Sequence, residues 1–319
     1  MKTDRFGLTK RDALSLDAAK LYYAGLSQQA IAERLFVTRP TVSKLITHAK
    51  QRGFVRTVVD DPRENDQRVI GQLQQRYGLT SVHLVSPLGS GPIDIRRALG
   101  RAGAQVLAEI LLPQDSLAVC WSETVSEIVA QFSARNATGI TVLQGRGFVG
   151  DERSSLRTVA DIERLATTLL GTAEFLESPA IQSSLSTKNE TCADSAIKNH
   201  LVHLTQSRVL LYSVGSLERT STLFRSELLT EAEKEKLKTE SVGDTCSHYV
   251  DEAGRVCLPD MNARTVGISL PQIRKVEQKI LVSGGADKIR AIHAALQWGY
   301  VNHLVTDTAS AHELLSLHH

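Results

Sequence analysis

Two sets of residues in this 319-residue sequence have the types and spacing to do chemistry. The first is a run of hydroxyl and basic side chains: Thr38, Arg39, Pro40, Thr41, Ser43 and Lys44, with Ser27 and Gln28 upstream. Arg and Lys neutralise phosphates, and Arg, Ser and Thr also hydrogen-bond base edges. Such a run suits recognition of nucleic acid. From Thr38 to Arg56 there are five basic residues and no acidic one. Residues 1–60 hold 11 Lys/Arg against five Asp/Glu, although the whole chain carries a net charge of only +2. The basic excess is therefore local and points to a polyanion at this end alone. A solvated basic helix face has the same composition, so the pattern beneath it must decide.

The second set is a series of glycine- and hydroxyl-rich loops. They are Cys120-Trp121-Ser122-Glu123-Thr124, Gln144-Gly145-Arg146-Gly147, Val214-Gly215-Ser216, Val242-Gly243-Asp244 with Asp251 beyond it, and Ser283-Gly284-Gly285-Ala286-Asp287-Lys288. Free backbone N–H groups at a helix start hold phosphate. Arg146 and Lys288 add cations. A helix N-terminus favours negative charge, whereas carboxylates repel it. The phosphate is thus expected at the helix starts after Trp121 or Gly285, with Ser122, Thr124, Gly284, Gly285 and Lys288. Gln144, Arg146, Asp244 and Asp251 are expected at the hydroxyl end, and Trp121, Glu123, Gly145 and Gly215 complete the effector-binding set. Singly, each loop is also the turn that any α/β sheet requires. Together they suit a small anionic polyol. The rival chemistry is general acid–base catalysis by Glu123, Asp244 or Asp251 with His203 or His248. Their spacing forms no compact constellation, so no catalytic residue is assigned.

The elements that must position these groups follow from apolar periodicity. A first helix is expected over residues 15–25, with Leu16, Ala19, Leu21 and Tyr23 inward and Gly25 as its stop. A second begins at the N-cap Ser27 and buries Ala30, Ile31 and Leu35. After a tight turn at Phe36-Val37, Thr38 caps a third helix with Pro40 in its first turn. Val42, Leu45, Ile46 and Ala49 form its inward face, and Gly53 ends it. Two short helices joined by a tight turn make a helix-turn-helix. The alternating run 54–59 reads as a wing, with Arg56 able to touch the DNA backbone. Residues 63–78 read as an amphipathic helix using Val69, Ile70, Leu73 and Tyr77. Beyond residue 80, strands at 81–86, 116–120, 139–144, 173–178, 208–215, 279–284 and 301–306 alternate with helices near 92–111, 123–135, 157–170, 192–204, 228–239, 286–298 and 308–317. That alternation predicts a parallel sheet covered on both faces, with ligands at the carboxyl ends of its strands.

The segment S-Q-Q-A-I-A-E-R-L-F-V-T-R-P-T-V-S-K-L-I resembles the DNA-reading segment of bacterial repressors. Phe36 departs from it, standing where such turns commonly have glycine; the expectation is that its ring packs on a neighbouring helix. C-W-S-E-T, L-Q-G-R-G, S-V-G, V-G-D, R-T-V-G-I (Arg264 to Ile268) and the tail V-S-G-G-A-D-K-I-R-A-I-H-A-A-L-Q-W-G-Y-V-N-H-L-V-T-D resemble the SorC family of sugar-responsive regulators, which includes Bacillus-type DeoR regulators. The resemblance covers roughly residues 15–315. Cys120 and Ser122 replace glycines of the family's first loop and narrow the pocket. The resemblance implies an α/β chain with an N-terminal all-α (winged) helix-turn-helix domain. It also implies a large parallel-sheet, Rossmann-like effector domain similar to phosphosugar isomerases and deaminases.

The resulting division is 1–60 for DNA binding, 61–78 as a connector helix and 79–319 for effector binding and oligomerisation. The expected function is a transcriptional regulator, a repressor, of a carbohydrate or nucleoside catabolic operon. Its partners are double-stranded operator DNA, a small phosphorylated sugar and further copies of the chain as a dimer or tetramer. The alternative is a phosphosugar isomerase- or deaminase-like enzyme with an accessory N-terminal domain. A composition of 42% apolar and 23% charged residues excludes a disordered or fibrous chain. No apolar run reaches membrane-spanning length, and no secretory signal opens the sequence, so a cytoplasmic protein is expected. Cys120, Cys192, Cys246 and Cys257 form no C-x-x-C pair and fit no zinc motif; no metal or cofactor is expected.

Overall fold

The computed structural model describes residues 8–55, 62, 66–133, 137–215 and 229–317. The chain divides into two compact units, Met1–Asp60 and Asp61–His319. Among its described residues the smaller unit holds three helices: α1 (Lys10–Tyr23), α2 (Gln28–Arg34) and α3 (Arg39–Gln51). α1 starts five residues earlier than expected. The Thr9 side chain accepts from the Asp12 N–H, and the Asp12 carboxylate accepts in return from the Thr9 N–H, a reciprocal cap that satisfies two orphan donors. Ala18 and Ala19 are buried, Leu16 and Leu21 half-buried, and Tyr23 is exposed rather than inward. Ser27 caps α2 as expected, accepting from the Ala30 N–H. Val42, Leu45, Ile46 and Ala49 are all buried on α3. Val42, Leu45 and Ile46 pack with Ala18, Ile31 and Ala32 in one cluster. The wing residues Arg56 to Val59 lie outside the described residues.

The larger unit opens with α4 (Gln67–Tyr77), the helix read as a connector. Its apolar face is used within the unit. Val69 and Leu73 are buried in the main core, and Arg76 donates to the Leu314 and Leu315 carbonyls. Then come β1 (Ser81–Val85), α5 (Pro92–Ile110), β2 (Ser116–Val119), α6 (Glu123–Gln131), β3 (Thr141–Gln144), α7 (Glu152–Thr168), β4 (Thr172–Glu174), α8 (Leu185–Ala193), α9 (Ser195–Thr205) and β5 (Val209–Tyr212). The chain continues through β6 (Val214–Gly215), α10 (Glu231–Glu240), β7 (Gly243–Thr245), β8 (His248–Val250), α11 (Pro259–Ala263), α12 (Leu270–Lys275) and β9 (Gln278–Val282). A 3-10 turn (Ala286–Lys288), α13 (Ile289–Gln297), β10 (His303–Asp307) and α14 (Thr308–Ser316) complete it.

Seven strands form one parallel sheet in the order β1-β10-β9-β5-β2-β3-β4. Successive residues of a strand point to opposite faces. Leu117 and Val119 of β2 therefore join one core cluster while Ala118 joins the other, and Val209 and Leu211 of β5 part from Leu210 and Tyr212 in the same way. With both faces covered, the strands read as continuous apolar runs. From β2 the chain winds outward through β3 and β4, then returns to β2's other side at β5. The loops leaving β2 and β5 diverge there, which opens a crevice at the strands' carboxyl ends.

Several expectations change. The single strand at 208–215 breaks after Tyr212, and β6 joins β7 and β8 in a separate antiparallel sheet. β7 and β8 turn through Cys246 (φ 52) and Ser247 (φ 70), both left-handed. That is the backbone of a tight hairpin, built here without the Asn-Gly that usually announces it. The helix near 192–204 is two helices, divided at Asp194, which caps α9 by accepting from Ala196 and Ile197. The helix expected from 286 begins at Ile289, after the 3-10 turn. No helix among the described residues is long and apolar enough to cross a membrane.

Candidate functional site

On α3 the side chains facing away from the cluster are those expected to meet DNA. Arg39, Pro40, Ser43 and Lys44 are exposed and Thr41 is half-buried. Thr38 holds the N-cap position but caps no backbone group; its hydroxyl pairs with that of Thr41 at 2.8 Å. The first N–H groups of α3 are thus left for an outside acceptor, and helix N-termini are regular phosphate ligands on DNA. Ser27 is exposed but its oxygen is engaged in capping α2, and Gln28 is half-buried beside it. The base of α3 is anchored through Asp12. This buried carboxylate accepts from His48 Nε2 at 2.8 Å and from Arg52 Nε at 3.2 Å. Hydrogen bonds from the Thr9 side chain, His48 and the Thr9 backbone hold its carboxyl well below the usual range. Sequence reasoning overlooked Asp12, although the pattern Thr9-x-x-Asp12 signals a capped helix start. Phe36 is 96% exposed, so it packs on no neighbouring helix.

In the larger unit the loops leaving β1, β2, β3, β5 and β9 converge with the β7–β8 hairpin around a cavity of about 540 Å³. Of the expected residues, Trp121, Ser122, Glu123, Thr124, Arg146, Gly215, Asp244, Gly284, Gly285 and Lys288 line it. Ser122 caps α6 by accepting from the Val125 N–H, leaving its own O–H free to donate. Arg146 donates to the Trp121 carbonyl at 3.0 Å and to the Ser247 hydroxyl, and Asp244 accepts from the Ser247 N–H at 2.9 Å. The hairpin turn thus fixes a cation and an anion at one wall. Gly215 lets that carboxylate lie close to the backbone, since a Cβ there would stand 1.8 Å from Asp244 Oδ1 and the carboxylate would have to move. The Trp121 indole is aimed by a hydrogen bond to Asp161 at 2.7 Å. Glu123 is ion-paired with Arg96 at 2.8 Å.

Lys288 differs from the other cavity cations. Its ammonium makes no hydrogen bond or ion pair among the described residues. Burial pushes its pKa below the ordinary lysine range, against the pull of Asp287, Asp244 and Glu123. A half-buried cation without a partner is poorly satisfied until an anion arrives. The expected phosphate contact at Gly285 is corrected. Its N–H is taken by Asp307 at 2.8 Å and Ser310 at 2.9 Å, so it has nothing left for a ligand.

Three expected residues are not brought to the cavity. Gln144 is buried; its amide donates to the Arg146 carbonyl and accepts from the Leu176 N–H, so it shapes the loop that carries Arg146. Gly145 packs on Cys120, where a Cβ would meet the sulfur at 2.8 Å. Asp251 closes the turn after β8, binding the Arg255 N–H at 2.8 Å and its Nε at 2.9 Å. Ser216 lies outside the described residues. The cavity adds residues outside the expected loops, Ser90, Arg96, Thr158 and Tyr249, and Asp287 of the last loop lines it too. The Gly91-Pro92 step before α5 signals a helix start at a strand end and points to Ser90 and Arg96. Tyr249 had no such signal, because its hairpin is silent in the sequence. The candidate acid–base histidines are elsewhere: His203 pairs with Glu174 at 2.8 Å, and both ring nitrogens of His248 are hydrogen-bonded, to Asn262 and to the Ile268 carbonyl.

Residues 61–316 match the Sugar-bind family, a sugar-binding domain, and residues 20–64 match the MarR family. The chain belongs to the Sugar-bind family. It is 32% identical to the deoxyribonucleoside regulator of Bacillus subtilis (strain 168), over 96% of this chain and 98% of that protein. It is 26% identical to the transcriptional regulator LsrR of Enterobacter sp. (strain 638), over 97% and 94%. The full-length sorbitol operon regulator SorC of Klebsiella pneumoniae shares the fold, with a TM-score of 0.75 at 23% identity over 98% of this chain and 100% of that one. As a member of this family, the chain is a DNA-binding transcriptional regulator with a sugar-binding effector domain.

Proposed function

We propose that the effector is a phosphorylated sugar, held with its phosphate between Lys288 and the start of α6. The observation that carries this reading is the partnerless, half-buried ammonium of Lys288 in the strand-end cavity. The N–H groups of the first α6 turn and the Ser122 hydroxyl supply donors on the same anion. Asp244, Arg146 and Tyr249 face the sugar hydroxyls. The name of the Bacillus relative favours a pentose or deoxypentose phosphate. No histidine lines the cavity among the described residues, Glu123 is paired and Asp244 holds a turn, which supports binding without turnover.

The protein acts as a cytoplasmic repressor that the effector releases from its operator. The ligand shifts the equilibrium by as much as its affinities for the two conformations differ. One helix-turn-helix covers a short half-site, so the working form is a dimer or tetramer. The apolar face of α4 is occupied within its own unit, and oligomerisation uses another surface of the larger unit. The test is titration calorimetry with deoxyribose 5-phosphate against deoxyribose, with hexose and triose phosphates as further arms. The phosphate ester is expected to bind at least tenfold tighter. Equal affinity with and without the phosphate would overturn the assignment.

A further inference from the structure

The turn between α2 and α3 carries an aromatic ring where the free protein has no use for one. Phe36 is 96% exposed and sits at φ 54. Glycine or asparagine suits that backbone, and a polar side chain suits that exposure. Its neighbours Leu35 and Val37 are partly buried against the small core, so Phe36 is not a frayed edge of it. It precedes Thr38, the N-cap of α3, by two residues and so lies at the end of that helix where the exposed Arg39, Ser43 and Lys44 are found. Among the exposed side chains that follow, Thr38, Arg39, Ser43 and Lys44 are hydroxyl or basic, types that suit DNA. The ring of Phe36 alone offers too little apolar area to hold a protein partner.

We propose that Phe36 is a specificity-determining residue that packs on the C5 methyl of a thymine in the operator's major groove. That methyl is the apolar feature of the groove edge, and Phe is among the side chains that contact it. The proposal rests on α3 being the reading helix.

The experiment uses a duplex selected by the full-length protein from a random-sequence pool, and a copy with every dT replaced by dU. Affinities are read by fluorescence anisotropy for wild type, Phe36→Gly and Phe36→Asn, both of which accept the left-handed backbone. Wild type is expected to lose about fourfold on the uracil duplex for each methyl covered, from ~0.8 kcal/mol per buried carbon. The two variants are expected to bind the thymine duplex about as weakly as wild type binds the uracil one, and to be indifferent to the exchange. Their melting temperatures should not fall. If wild type is indifferent to uracil, or the variants lose the same factor as wild type, the proposal is overturned. An altered oligomeric state of the variants without a uracil contrast overturns it in favour of a protein contact. Arg39→Ala with Lys44→Ala serves as control: if that variant binds the selected duplex normally, the reading-helix assignment fails, whereas loss of binding without a uracil contrast defeats Phe36 alone.

Discussion

The smaller unit places its working side chains on one stretch of chain, Thr38–Lys44, whereas the larger draws its own from loops scattered between Ser90 and Lys288. On α3 the division of labour follows helical spacing. Inward residues pack, and outward ones stay open to solvent for a partner. In the cavity most polar groups are already engaged: Arg146 with Ser247, Asp244 with the hairpin, Glu123 with Arg96 and Gly285 with Asp307. A surface that reads a long polymer can be one amphipathic helix. A pocket for a small ligand needs walls from several strands, each held in place by the others. Lys288 is the exception among the charged groups of the second region, a cation with no hydrogen bond or ion pair among the described residues.

The strongest way to break this comparison is Arg39→Ala with Lys44→Ala. A base-edge contact contributes about 1–3 kcal/mol, or about 5- to 150-fold in affinity, and losing a phosphate contact with it should lower operator affinity further. Anisotropy titrations should show this with a shallower salt dependence. Calorimetry should find sugar phosphate affinity unchanged; a matching loss there would erase the distinction between the two regions. Lys288→Ala tests the other side. It should weaken the phosphorylated ligand by about 1.5–3 kcal/mol, the range for a charged hydrogen bond, and barely touch any binding of the free sugar. An equal loss for both ligands would make Lys288 part of the cavity's scaffold.

Asp12 sharpens the comparison with the smallest effect. Its carboxyl is depressed in the folded state, so its stabilisation is full above the ordinary carboxylate pKa and disappears as pH falls below about 4. Wild type should lose thermal stability in the smaller unit over that acid range. Asp12→Asn should start lower at neutral pH and show a flatter acid limb. Identical limbs in circular-dichroism melts would mean that the Asp12–His48–Arg52 link does not anchor α3.

Legibility follows the same division. Helical spacing alone turns Val42, Leu45, Ile46 and Ala49 inward, because a helix keeps sequence neighbours as spatial neighbours. The sheet's strands are readable from their apolar runs, since both faces are covered. Glycine loops mark most of the strand ends that form the cavity. Three kinds of information stay hidden. The Cys246-Ser247 turn uses left-handed backbone without a residue type that advertises it, so Asp244 could be named while Tyr249 could not. Asp251 has the same chemistry as Asp244, and only the closure of its turn on Arg255 shows that it serves itself. The N–H of Gly285 is ready-made for phosphate in sequence terms, and its capture by Asp307 and Ser310 depends on residues more than twenty positions away.

That capture has a mechanical side. One oxygen of Asp307 holds Gly285 and the Ser310 hydroxyl, and the other accepts the Ser310 N–H that starts α14. The floor of the cavity and the last helix therefore share a single rivet. A ligand drawn in by Lys288 that shifts Gly285 must either drag the first turn of α14 with it or leave Asp307 to choose between them. The position of the last helix is thereby tied, through one carboxylate, to the backbone that lines the pocket.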